Sequence, residues 1–394
     1  MVRIATLAAI AAAAVLSFSS GLPAGAQDAA APAIETPARE VLLVDGETGT
    51  ILFQKNPAQP FPPASLAKIM TMEIVFAAIG SGEISLDTTF PVSEHAWRTG
   101  GAPSGTSTMF AALNSQVPVA DLIRGTIVQA ANDAAIILAE GMEGSEAAFA
   151  ERMNARAEEL GLRDSRFVNP TGLPAEGQQV TVTDLVRLAR HLRASYPELY
   201  AIYAEPSFEW NGIFQRNRNP LLSAGIGADG LGTGYTEASG YALLGVTEEQ
   251  GRVTFLAMSG LETERERATE SARLLRWARD SFRQVELFDA GATIGSASVF
   301  GGNAGWVPAV APKPVAVLLP VDAGDRVRAR MRYDGPLIAP VAEGAPIATL
   351  DVLVDGEPVL SQELHAGGGA EAGSFADRAL GAMKELAFGW VRAF

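Results

Sequence analysis

Apolar and polar positions follow two different periods along this 394-residue chain. Glu40-Val41-Leu42-Leu43-Val44-Asp45 and Thr50-Ile51-Leu52-Phe53 are short aliphatic runs flanking Gly46-Glu47-Thr48-Gly49, a pattern that predicts two strands joined by a turn. Ile69 to Phe76 is a longer apolar run behind Pro62-Pro63-Ala64, and proline ahead of such a run marks a helix start. Helical spacing returns over Val119 to Gln129, Ala134 to Met142, Glu146 to Leu160 and Val182 to Leu192, whose apolar faces read as core. Tyr241 to Val246 and Val253 to Met258 read as strands, and Glu264 to Phe282 as a helix. Hairpin, helices, strands and helix in this order predict an α/β sheet covered by helices, with a domain over 38–284.

The texture changes after Val285. Val315 to Leu319, Val327 to Tyr333, Leu350 to Val354 and Val359 to Leu364 are short β runs, and Asp355-Gly356 is a strong hairpin turn. A small β-sandwich-like domain is expected over 285–366, with a Gly-rich linker at 367–373. On a helical wheel over 374–394, Phe375, Ala379, Leu380, Met383, Leu386, Ala387, Trp390, Val391 and Phe394 share one side. That segment reads as an amphipathic helix lying in a membrane surface, or alternatively docked on the β domain.

The N-terminus carries a targeting pattern. A short basic start at Met1-Val2-Arg3, an apolar stretch from Ile4 to Phe18 and small residues at Ala24-Gly25-Ala26 predict a signal peptide over 1–26, with a membrane anchor as the alternative. An Ala/Pro-rich leader follows at 27–37, and no other stretch reads as long and apolar enough to span a bilayer. The chain is therefore expected to be exported. It has no cysteine, which excludes thiol catalysis and thiolate metal sites. Its three histidines, His95, His191 and His365, are far apart and form no zinc-hydrolase pair. No Gly-x-Ser-x-Gly elbow supports a Ser-His-Asp triad. A net charge of −15 argues against nucleic acid as a partner.

Ser65-Leu66-Ala67-Lys68 is the candidate chemistry. Serine and lysine three residues apart lie on one face of a helix, so the hydroxyl has an amine in reach. The helix N-terminus adds a field that favours a developing oxyanion. Such a pair activates a serine without histidine. By itself the pattern also fits a capped helix with a solvated lysine. A Gly/Ser/Thr-rich loop from Thr99 to Thr108 is placed to border a cleft.

Two further motifs follow in order: Gln129-Ala130-Ala131-Asn132-Asp133-Ala134 between helical runs, and Asp229-Gly230-Leu231-Gly232-Thr233-Gly234-Tyr235-Thr236 ahead of a strand. With Val44 to Gly49, Leu122-Ile123-Arg124-Gly125 and Asn217-Arg218-Asn219 they make a chain that resembles the serine-type D-alanyl-D-alanine carboxypeptidases, the low-molecular-mass penicillin-binding proteins. The resemblance implies an α/β (α+β) penicillin-recognising serine transpeptidase/β-lactamase-like domain, a small all-β domain and a C-terminal amphipathic helix. It implies a periplasmic enzyme on the inner-membrane surface that needs no cofactor or metal. Its substrate would be the peptidoglycan stem peptide, and β-lactam antibiotics would acylate it. Ser65 would be the nucleophile and Lys68 its base. The N–H groups of Ser65 and Tyr235 would form an oxyanion hole, and Asn132 would hold the substrate carbonyl. Thr233 and Gly234 would line the strand on which the peptide docks, and Arg218 matches the arginine near the substrate carboxylate.

Two positions depart from the family pattern. Ala130 stands where relatives carry the serine of Ser-x-Asn, and Gly232 where they carry the lysine of Lys-Thr-Gly. Lys68 then lacks a cationic neighbour, and the proton route to the leaving amine is interrupted. Arg218 and Thr233 are the candidates to compensate. Three readings follow: a carboxypeptidase with lowered activity, a peptidoglycan-binding scaffold that keeps the fold, and a β-lactamase, which would need a deacylating carboxylate.

Overall fold

The computed structural model describes residues 34–375 together with 378 and 379. The expected signal peptide, most of the expected leader and most of the expected C-terminal helix lie outside the described residues. The described residues divide into two compact units: 34–283 together with Leu318–Ala323, and the remainder.

In chain order the first unit carries β1 (Glu40–Asp45), β2 (Ile51–Lys55), α1 (Ala67–Ser81), β3 (Thr89–Pro91), α2 (Glu94–Thr99), β4 (Gln116–Pro118), α3 (Val119–Val128), α4 (Asn132–Glu143), α5 (Glu146–Glu159), α6 (Val182–Ser195), α7 (Pro197–Tyr200), β5 (Ser207–Trp210), β6 (Ile213–Arg216), β7 (Ala228–Thr236), β8 (Gly240–Glu249), β9 (Arg252–Leu261) and α8 (Glu264–Ser281). Five strands form one antiparallel sheet in the order β2-β1-β9-β8-β7. Strand periodicity splits their side chains between two faces. Leu42, Val44, Leu244, Val246, Phe255 and Ala257 turn into the core shared with α1 and α3 to α6. Val41, Leu43, Leu243, Leu256 and Met258 turn the other way, onto Leu274, Leu275 and Ala278 of α8. Because both faces are covered, β1 is buried throughout and shows no polar alternation.

Helix α1 runs through the middle of the larger core. It is buried on every side from Ala67 to Phe76, the signature of a central helix. By length and composition Ala64–Ser81 passes as a bilayer span, contrary to the sequence expectation, but it is mostly buried inside the unit. Its buried Met70, Met72, Ile74 and Phe76 each contribute on the order of 1.5–3 kcal/mol.

The remaining strands are β10 (Phe282–Phe288), β11 (Thr293–Phe300), β12 (Trp306–Val310), β13 (Val315–Pro320), β14 (Val327–Arg332), β15 (Leu337–Ile338), β16 (Pro346–Val354) and β17 (Glu357–Ala366). Six of them make a sheet in the order β14-β16-β17-β12-β11-β15. Asp355 and Gly356 both have positive φ, 53° and 93°, and close the β16–β17 hairpin as the Asp-Gly pair predicts. The expected linker is instead paired into this unit. Gly367 N donates to Pro308 O at 2.8 Å, Ala370 and Val341 exchange backbone bonds at 2.8 Å, and Gly373 N donates to Gly301 O at 2.8 Å. Glycine composition suggested a tether, but backbone groups that find partners on a sheet need no side chain to be held.

Candidate active site

Ser65 lies in a 3-10 turn, Ala64–Leu66, that runs directly into α1. Lys68 in the first turn of α1 is 4% exposed, and its Nζ donates to Ser65 Oγ at 3.2 Å. The solvated-lysine alternative therefore fails. Burial lowers the Lys68 amine from 10.5 to about 7, against a smaller opposing pull from Asp133. At pH 7 about half the molecules carry a neutral amine, against roughly one in a few thousand for an exposed lysine. Desolvation is the cause of the lowering, and no cation contributes to it.

A second bond fixes the amine. Lys68 Nζ donates to the backbone carbonyl of Thr171 at 2.6 Å. That carbonyl is presented by an Asx turn, in which Asn169 Oδ1 accepts from Thr171 N at 3.2 Å, Thr171 Oγ1 at 2.9 Å and Gly172 N at 2.8 Å. Thr71 Oγ1 ties the same loop to α1 by donating to Pro170 O at 2.7 Å. Gly172 has φ +78°, and a Cβ there would come 1.7 Å from Ala64 O, so only glycine lets the loop close on the serine turn. Sequence reasoning missed this loop. Its signal was Asn169-Pro170-Thr171-Gly172, a dense turn signature.

Asn132 opens α4, two residues ahead of the expected helix. Its backbone N donates to Ser107 O at 2.8 Å and its Nδ2 to Thr106 Oγ1 at 2.9 Å, so the loop from Thr99 to Thr108 does border the site. Asn132 Oδ1 is buried without a partner. The neighbouring Asp133, also missed from sequence, anchors the loop. Its carboxylate accepts from Thr108 Oγ1 at 2.6 Å, Met109 N at 2.9 Å, Ala111 N at 3.1 Å and Ala134 N at 3.0 Å. Gly100 allows the approach, since a Cβ there would lie 2.4 Å from Asp133 N.

Thr233, Gly234 and Tyr235 lie on β7, which pairs with β8 along one side and ends the sheet. A Cβ at Gly234 would lie 2.9 Å from Pro63 O and 3.1 Å from Ala64 Cβ, so glycine brings the strand edge onto the serine turn. Tyr235 is 52% exposed and its ring stacks on Tyr241 with centroids 4.3 Å apart. Two cavities meet at Ser65. The larger, about 480 Å³, extends past Asn132 and Leu173 to Tyr235, Thr236 and Glu237. The smaller, about 20 Å³, lies between Lys68, Ala130, Gly232, Thr233 and Arg218. Arg218 is exposed and donates to Gln215 Oε1 at 3.4 Å. Ala130 has φ +53°, and a Cβ at Gly232 would meet no atom within 4 Å.

The structure thus gathers Ser65, Lys68, Asn132, Thr233, Gly234, Tyr235 and Arg218 around one cleft, with Ala130 and Gly232 in its wall. Neither cavity is lined by a histidine. His95 is bonded to Glu146 at 2.7 Å and His365 to Glu363 at 2.9 Å, while His191 lies 3.3 Å from buried Glu73. Glu237 is the sole carboxylate lining either cavity, and it lines the larger one, which Lys68 does not, while Asp133 is saturated by its four donors. Among the described residues no cluster of His, Cys, Asp or Glu is arranged for a metal.

This architecture has known counterparts. The D-alanyl-D-alanine carboxypeptidase family model matches residues 26–260, and that of the C-terminal domain of penicillin-binding protein 5 matches 282–370. D-alanyl-D-alanine carboxypeptidase DacC of Escherichia coli is 35% identical over 358 residues, 90% of this chain and 89% of the relative. Penicillin-binding protein 5 from Haemophilus influenzae superposes with a TM-score of 0.75 at 33% identity, over 87% of this chain and 100% of that one. DacD from Francisella tularensis gives 0.76 at 27% identity, over 89% and 97%. By sequence and by fold, this chain belongs to the D-alanyl-D-alanine carboxypeptidase family, in the low-molecular-mass penicillin-binding class.

Proposed function

We propose that the chain removes the terminal D-alanine from peptidoglycan stem peptides through an acyl-enzyme on Ser65. One observation carries this reading: a buried Lys68 amine, lowered to about 7, within 3.2 Å of Ser65 Oγ. Neutral Lys68 takes the hydroxyl proton as Oγ attacks the carbonyl between the two D-alanines. The N–H groups of Ser65 and Tyr235 receive the oxyanion. The substrate adds as a strand along the free side of β7. Its acyl portion lies in the larger cavity, and the leaving D-alanine lies toward Thr233 and Arg218. Asn132, in the wall of the larger cavity with its Nδ2 donating to Thr106 Oγ1 at 2.9 Å, is the side-chain amide placed to hold the substrate carbonyl. The C–N bond breaks, the proton passes to the amine, and water then cleaves the ester to restore Ser65.

The substrate places the enzyme outside the cytoplasm. The basic-apolar N-terminus supports export to the periplasm, and the amphipathic pattern over 374–394 supports attachment to the inner membrane. The same acylation makes the protein a β-lactam target. Release of D-alanine from a stem pentapeptide, lost in Ser65→Ala, tests the reading; no release above the Ser65→Ala background refutes it.

A scaffold reading draws on Ala130 and Gly232, which leave Lys68 as the one side-chain amine lining the cleft. It requires that Ser65→Ala rescue a cell-wall defect as well as the parent does.

A further inference from the structure

The proton that Lys68 takes from Ser65 must reach the leaving nitrogen. Arg218 is no substitute, because a guanidinium does not relay protons. The family positions that carry a serine and a lysine are Ala130 and Gly232 in this chain. The 20 Å³ cavity lies on that route, between Lys68 and the Gly232–Thr233 edge of β7. Its volume is that of one water molecule, and a buried water needs two to four polar partners.

The walls supply them. Tyr203 is 2% exposed and Asn219 3% exposed, both line this cavity, and both have a buried polar end without a partner: Tyr203 Oη and Asn219 Nδ2. A buried polar group left without a partner keeps its full desolvation cost, so both ends call for one. Lys68 and Thr233 line the same space. Burial raises the Tyr203 phenol well above its ordinary value, so Tyr203 is a fixed partner and not a proton donor. Lys68 is left as the group lining the cavity that titrates near neutral pH.

We propose that a single water held here by Tyr203 and Asn219 carries the proton from Lys68 to the leaving amine. The inference rests on the acyl-transfer reading above. As the C–N bond breaks, the water gives a proton to the nitrogen and takes one from the Lys68 ammonium. No net charge changes, and the next cycle starts from neutral Lys68.

The test compares an amide substrate with an ester or thioester of the same peptide, whose leaving group departs without protonation. Gly232→Val puts a branched side chain into the open space beside the cavity, on a strand that accepts β-branched residues. Gly232→Ser offers a hydroxyl in the water's stead. The amide-to-ester rate ratio should fall at least tenfold in Gly232→Val and stay within about threefold of the parent in Gly232→Ser. Equal loss on both substrates in Gly232→Val, or an unchanged ratio, overturns the water relay. Failure of the parent on both substrates overturns the acyl-transfer reading instead. Thermal denaturation of Gly232→Val, expected at the parent temperature, separates either result from misfolding.

Discussion

Lys68 Nζ is bonded to the carbonyl of Thr171 at 2.6 Å, across 103 residues of sequence. The same Nζ reaches Ser65 Oγ at 3.2 Å. The loop carrying Thr171 therefore sets the height of the amine over the nucleophile, and backbone geometry, not a neighbouring cation, positions the base.

Gly172 is the hinge of that arrangement. In Gly172→Ala the new Cβ cannot occupy its place 1.7 Å from Ala64 O, and φ +78° adds strain. The loop must move, with a loss of about 2 kcal/mol or more in stability and at least about 10²-fold in acylation. Denaturant unfolding and penicillin acylation rates measured together check this. Parent-like values in both would mean that the loop does not bear on Ser65.

The pH dependence follows from Lys68. Acylation needs the neutral amine, so its rate should rise tenfold per unit below about pH 7 and level above it. Stability carries the same signature. The folded value lies below the ordinary 10.5, so the unfolded chain binds more protons between about 7 and 10.5, and stability rises with pH across that window. In Lys68→Met this rise should vanish, as followed by unfolding at several pH values. A rate midpoint near 10 would contradict the buried-amine assignment.

Ala130→Ser with Gly232→Lys should accelerate acylation by about 10²–10⁴-fold. A side chain at 232 enters open space, and serine at 130 adopts the left-handed backbone at a cost similar to that of alanine. The added cation should also move the Lys68 midpoint below 7. Stopped-flow acylation of the double variant beside the parent measures both. An unchanged rate would show that these two positions do not limit the reaction.

Much of this was legible in the residue pattern. The β1–β2 turn, the buried run of α1, the spacing of α3 to α6 and the Asp355-Gly356 hairpin follow from local rules that the tertiary structure obeys. Ser65 and Lys68 were legible because three residues of helix bring them together. Thr171 was not, since its contribution is a backbone oxygen with no side-chain signature. Asp133 was hidden beside Asn132, because its role is to accept bonds from a loop more than twenty residues upstream. Strand β7 reads by composition as a glycine-rich segment. Pairing with β8 makes it a nine-residue strand, and Gly234 is the glycine that lets it press against the serine turn. The lowering of the Lys68 amine comes from burial, which depends on packing around the whole of α1 and has no local sequence signature.

The central claim is that Ser65, activated by Lys68, accepts an acyl group. Intact-protein mass spectrometry after incubation with penicillin, followed by peptide mapping, tests it most directly. The account predicts one adduct per chain on the peptide holding Ser65, absent in Ser65→Ala and formed more slowly at pH 6 than at pH 8. No adduct after prolonged incubation, or an adduct that survives in Ser65→Ala, would contradict it.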